Sequence, residues 1–243
     1  MSATLLTAAL LLTVQPARAG VEISSEDSLL DFSFGWSAEA AAVPALDRRF
    51  RIDAARQKSA ALVTAREDRE ARKAMTGDWN GHFFSRQWST AGQTVRLLSL
   101  EAETGTFTGG AHGNSGTSSL LWDRKLAREL RIDDLLRRAG WWNGAIRQPF
   151  CVLLDRERAK RRQEPVDRSD MFGECPELKE LTLTLEDSDG NGRLDHVRVT
   201  ADQYVAGPYA EGEYVISLPL TAAMLARLKP EYRASFEPQP PVQ

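Results

Sequence analysis

The sequence predicts an α+β fold: antiparallel sheets packed with one long N-terminal helix and a second mid-chain helix. Two observations carry this. Strand-like runs fall in clusters with helices between the clusters, and no β-α-β rhythm repeats, which disfavours a doubly wound parallel sheet. The stretch from Ala45 to Met75 holds neither Gly nor Pro, so one long helix is open to it.

In chain order, the apolar run Ala3 to Val14 followed by Ala17-Arg18-Ala19 has the pattern of a signal peptide over 1–19, giving a mature chain from Gly20. The run is too short to span a membrane, and no cysteine at the cleavage site supports a lipid anchor. Leu30, Phe32, Phe34 and Trp36 alternate with Asp31, Ser33 and Gly35, as in a half-buried strand. Pro44 suits the first turn of the long helix, where Leu46, Phe50, Ala54, Ala61 and Ala65 form a modest buried stripe. Its second half, Arg66 to Lys73, is charged almost all round and is expected to be solvated. Gly77-Asp78-Trp79-Asn80-Gly81 ends it.

Strands follow at His82 to Thr90 and Gln93 to Phe107, with a hairpin turn expected at Ala91-Gly92, then at Ser119 to Asp123 and Arg128 to Ile132. A short helix is expected from Asp133 to Arg138 and a longer one from Trp142 to Gln163, with Pro149 inside it. Leu181 to Leu185 and Leu194 to Ala201 read as strands around a turn at Asp187 to Gly192. A further strand covers Glu213 to Pro219 and a last short helix Thr221 to Leu228. The organisation expected is an N-terminal subdomain over 20–118, a C-terminal α+β subdomain over 119–236 and a disordered Pro-rich tail over 237–243.

Lys and Arg number 31 against 34 Asp and Glu, for a net charge of −3. Such a balance argues against a nucleic-acid binder, which needs a basic face, and permits a basic partner. Cys151 and Cys175 are the only cysteines. Behind a signal peptide an even pair points to a disulfide, worth roughly 3 kcal/mol for a loop of this size.

Asp187-Ser188-Asp189-Gly190-Asn191-Gly192-Arg193-Leu194-Asp195 places Asp187, Asp189, Asn191 and Asp195 at the first, third, fifth and ninth positions of a calcium loop, with Gly192 at the sixth. Arg198 stands where the twelfth-position Glu would be, and the flanks are strand-like, so this is not an EF-hand. The alternatives are a weak calcium site and a polar hairpin tip. The histidines, His82, His112 and His196, sit in three separate segments without metal-ligand spacing, which disfavours catalytic zinc. No Gly-x-Ser-x-Gly elbow appears. Tyr204, Tyr209 and Tyr214 cluster late in the chain, and Tyr204 and Tyr209, beside Gly207-Pro208, suit core packing and a sugar-stacking or interface role equally.

The chemistry-bearing signature is Phe107-Thr108-Gly109-Gly110-Ala111-His112-Gly113-Asn114, a glycine-rich loop with one histidine. Its glycines allow positive φ, and Gly109 and Gly110 are both expected at angles a Cβ would strain. His112 is open to three readings: acid-base group, ligand contact, or a clamp on its own loop. Far downstream stands Tyr204-Val205-Ala206-Gly207-Pro208-Tyr209-Ala210-Glu211-Gly212. Taken together, these segments resemble a family of extracytoplasmic domains. It includes the outer domain of the lysozyme-sensing anti-sigma factor RsiV and the non-catalytic N-terminal region of the peptidoglycan deacetylase PdaC. The resemblance runs over most of the mature chain, and the sigma-binding segment and the deacetylase domain of those proteins have no counterpart in it. It implies a periplasmic or secreted binding domain whose partner is a cell-wall glycan or a glycan-cleaving protein. Gly109, Gly110, His112, Asn114, Tyr204, Tyr209 and Glu211 then form the expected binding face. Alternatives are a hydrolase using His112 with a carboxylate, and a calcium-stabilised structural module.

Overall fold

The structure, a computed structural model, describes residues 20–75 and 79–241. The expected signal peptide, the Gly77-Asp78 break and the last two residues lie outside them.

A six-stranded sheet runs in chain order through β1 (Val21–Glu26), β2 (Leu30–Trp36), β3 (His82–Gln93), β4 (Leu97–Phe107), β5 (Asn114–Asp123) and β6 (Arg128–Leu130). A three-stranded antiparallel sheet holds β7 (Thr182–Glu186), β8 (His196–Ala201) and β9 (Tyr214–Pro219). Among the described residues four α-helices accompany them: α1 (Ala38–Ala41), α2 (Pro44–Ala74), α3 (Asn143–Arg162) and α4 (Ala222–Leu225). The α+β class with one long and one mid-chain helix is as the sequence predicts. One pairing departs from the antiparallel rule: β2 and β3 are parallel. A parallel neighbour needs a long crossover, and the 31-residue α2 supplies it.

Strand alternation puts two cores on opposite faces of the large sheet. On one face Phe32, Phe34, Trp36, Phe84, Trp88, Leu98, Leu100, Leu120 and Trp122 pack under Leu46, Phe50 and Ala54 of α2. Each large side chain buried there contributes about 1.5–3 kcal/mol. On the other face Leu97 and Leu121 join a second core made by α3 (Ile146, Phe150, Leu154) and the small sheet (Leu185, Val197, Val199, Tyr214, Ile216, Leu218). The opposite face of the small sheet is polar. Its Thr184 hydroxyl donates to Glu101 of β4 at 2.6 Å, and Arg198 pairs with both Glu101 and Glu186.

Several expected boundaries move. β1 had no counterpart in the sequence reading. The β3–β4 turn falls at 94–96, not at Ala91-Gly92, and β3 carries a bulge between Thr90 and Gly92. Gly92 serves a close approach instead: a Cβ there would meet Leu194 Cδ2 at 2.6 Å and the Asp187 amide at 2.8 Å. The boundary expected between 118 and 119 falls inside β5. Residues 237–239 are not loose, because the Glu237 amide donates to Leu194 O and the Gln239 amide to Leu220 O.

Candidate functional site

The β4–β5 hairpin loop and the segment after β8 meet in space. Gly109 has φ +83°, and its carbonyl accepts the Arg72 guanidinium at 2.5 Å. The charged end of α2 is therefore not simply solvated. Arg72 reaches the loop, and Asp68 lies 3.2 Å from the buried His82 Nε2. Gly110 does not meet expectation: it has no positive φ, and a Cβ there would find only His112 O, at 3.9 Å.

His112 is exposed. Its Nδ1 lies 2.8 Å from the Gly113 carbonyl, which accepts, so Nδ1 carries the proton. Nε2 then faces the Tyr204 hydroxyl at 3.5 Å. The imidazole stacks on the Tyr209 ring with centroids 3.8 Å apart, and Tyr209 lies 5.8 Å from Tyr204. Tyr204 is 53% exposed and holds φ +67°, an unusual angle for a residue with a Cβ. Asn114 opens β5 beside this group and is exposed.

Basic residues of α3 place the tyrosine segment. Fully buried Arg158 donates to the carbonyls of Ala206 at 2.8 Å and Glu174 at 3.1 Å. Arg161 donates to the carbonyls of Glu211 and Glu213, each at 2.7 Å. Arg162 grips the Glu211 carboxylate with two bonds, 2.8 and 3.0 Å long. Glu211 is therefore spent on scaffold contacts, since it also accepts from the Tyr214 hydroxyl. Burial alone would raise the Glu211 pKa, but the Arg162 and Tyr214 bonds hold it below the usual carboxylate range. Burial, then the Glu211 bond, pushes Tyr214 up to about 12. The same scaffold is stapled by the Cys151–Cys175 disulfide, with Cα atoms 5.6 Å apart.

A carboxylate group borders the tyrosines. Asp202 accepts the Thr117 amide at 3.0 Å, and partial desolvation, then Glu103, Asp202 and Glu101, raise the Glu213 pKa.

The Asp187–Asp195 loop lies between β7 and β8. The Asp187 carboxylate accepts the Asn191 and Gly192 amides at 3.1 and 2.9 Å, and the Asn191 side chain accepts the Arg193 amide at 2.9 Å. Asp189 and Asp195 instead gather with Glu237, carboxylate oxygens within 4.8 Å of one another. Sequence reasoning missed Glu237, having assigned it to the tail. It missed Arg72, Arg158, Arg161 and Arg162 because arginines on a charged helix carry no local mark of a distant carbonyl.

No family model matches the chain, nor does the sequence of any curated protein. Solved structures do resemble it. A DUF3298 family member from Bacteroides fragilis superposes with a TM-score of 0.51 at 15% identity, covering 89% of this chain and 95% of that one. A DUF3298 family protein from Pseudomonas aeruginosa PAO1 gives 0.50 at 17%, covering 93% and 99%. At such identities the likeness establishes a shared fold.

Proposed function

We propose that the chain is a periplasmic or secreted, non-catalytic cell-envelope binding domain. Its partner is peptidoglycan-type glycan or a glycan-cleaving, lysozyme-like protein, met by the face of His112, Tyr204 and Tyr209. The observation carrying this reading is the exposed stack of His112 on Tyr209, with Tyr204 alongside. Rings fixed against each other lose little freedom on binding, and aromatic anchors dominate many interfaces. The neighbours of His112 are a carbonyl and two tyrosines, whereas a hydrolase would set a carboxylate on the imidazole.

Co-sedimentation with insoluble peptidoglycan, and capture of purified lysozyme, test the proposal on the mature protein. Tyr209→Ala should weaken whichever interaction is found by about tenfold or more while the protein stays folded. Turnover of peptidoglycan fragments that disappears in His112→Ala would replace this reading with the hydrolase.

A further inference from the structure

The outer edge of β5 is closed at two places and open between them. Residues two apart in a strand turn their amide and carbonyl the same way. Thr117 turns both away from β4: its amide donates to the Asp202 carboxylate at 3.0 Å, and its carbonyl accepts the Thr182 hydroxyl of β7 at 3.0 Å. Leu121, four residues on, pairs with Leu130 of β6. Ser119, midway between them, faces the same way and is exposed. β6 ends at Leu130 and the chain leaves the sheet in a 3₁₀ turn, Ile132–Leu135. The Ser119 amide and carbonyl therefore have no partner among the described residues.

This gap opens on a cavity of about 740 Å³, bounded by residues 117–121 of β5, by residues 129–133 where β6 departs, and by residues 178–183 ahead of and within β7. Leu121, Leu130, Ile146 and Leu181 supply an apolar floor that belongs to the second core. Four charged side chains stand around it, and the anionic ones are engaged. Glu129 pairs with Arg49 at 2.6 Å, and Asp133 accepts the Gly140 amide at 2.8 Å. Arg131 lies 3.7 Å from Asp134, and the exposed Lys179 ammonium has no hydrogen bond or ion pair among the described residues. The charge left over at the rim is positive.

We propose that the gap binds a short extended peptide, which pairs antiparallel with Ser119, sends the side chain opposite Ser119 into the apolar floor and turns a carboxylate to Lys179. One residue of a peptide carries both the donor and the acceptor that Ser119 lacks, at ladder spacing. Residues directly opposite in an antiparallel pair share a face, and the Ser119 face is that of Leu121, toward the floor. The Thr117 and Leu121 contacts stop a longer strand from running on along the edge, so the ligand is about three residues long. The site shares no residue with the His112 face, and its test does not depend on that reading.

The isotope-labelled protein is titrated with the tripeptide acetyl-Val-Leu-Val, and the Ser119 amide resonance is followed. It should move saturably at millimolar concentration or below. N-methylation of the peptide's Leu removes the donor to the Ser119 carbonyl and should raise the Kd about tenfold or more. Amidation of the peptide's C-terminus and Lys179→Ala should each raise it about threefold, and the two together no further. The Ser119 N–H lies outside the β4 ladder, so Ser119→Pro keeps the sheet's own bonds and should abolish binding. The N-methyl peptide decides the matter on the unaltered protein if that variant does not fold. Equal affinity for the parent and N-methyl peptides, or hexanoate binding as well as the peptide, would overturn the proposal. So would the absence of a saturable shift at Ser119, or a shift that comes from concentrating the protein alone and assigns the edge to a second copy.

Discussion

Gly109 and Gly110 are neighbours with different duties, and substitution separates them. At φ +83° and against the Arg72 guanidinium, a side chain at Gly109 is both strained and obstructed. Gly109→Val should therefore cost about 1–3 kcal/mol, read as a lower Tm. Gly110 has an ordinary φ and open space, so Gly110→Val should stay within about 0.5 kcal/mol of the parent. Equal losses for the two would mean that crowding in the loop, not backbone angle, sets its stability. His112 bonds its neighbour's carbonyl, and its other contacts, the Tyr204 hydroxyl at 3.5 Å and the Tyr209 ring, lie at the exposed surface rather than in a core. His112→Ala should leave Tm unchanged within a degree or so and report on binding alone. The glycine signal was legible in the sequence, but which glycine carried it was not, because φ at each position follows from the path of the whole loop.

At the scale of elements, the C-terminal half of α3 is a positioning rod. Arg158, Arg161 and Arg162 hold the carbonyls and the carboxylate of the tyrosine segment, and the disulfide ties the same helix to the loop that Arg158 also grips. The Glu211 pKa is lowered in the folded protein, so it binds its proton less readily than in the unfolded chain. Its contribution to stability is thus complete above the ordinary carboxylate value of 4.5 and is lost as pH falls below 4.5 through the folded value. Arg162→Ala should remove about 1–3 kcal/mol at pH 7 and flatten that acid limb, visible in Tm measured from pH 6 to pH 3. An unchanged limb in Arg162→Ala would assign the acid sensitivity to other carboxylates, such as Asp195 or Asp123, whose pKa values are also lowered. Helices and strands with clear periodicity, α2, α3, β2 and β9, could be read from sequence. β1 and the first half of β5 could not, since Gly, Ser and Glu at an exposed sheet margin carry little apolar alternation.

For the whole molecule, the pattern of apolar residues reached as far as the fold class, and the pairing of the GGAH loop with the tyrosine segment was also anticipated. The stacking of two cores on one sheet was not. It depends on alternate residues of β4 and β5 facing different partners, such as Leu97 toward the core shared by α3 and the small sheet and Leu98 toward the core under α2, and a run apolar on both faces does not say which partner is which. The chain end shows the same limit. Phe236 and Leu194 form a parallel bridge, and this brings Glu237 to Asp189 and Asp195, a contact across more than forty residues that no local motif records. The electrostatics there decide how the end of the molecule behaves. Asp195 is buried, which would raise its pKa, yet bonds from the Ser188 hydroxyl and amide hold it below the usual range, so it stays ionised at neutral pH. Its carboxylate then lies against two others, an arrangement of like charges that a divalent cation relieves. If calcium binds, filling the site to a hundred times its Kd adds about 2.7 kcal/mol, an upward Tm shift of about 5–10 °C for a chain of this size. Glu237→Gln should reduce that shift without disturbing the β7–β8 turn, whose Asp187 and Asn191 side chains already bond the loop's own amides. Asp189→Ala should abolish it. A Tm that ignores both millimolar calcium and chelator would leave the loop as a hairpin tip, with Gln239 and Ser188 rather than a metal holding Asp195 and the chain end in place.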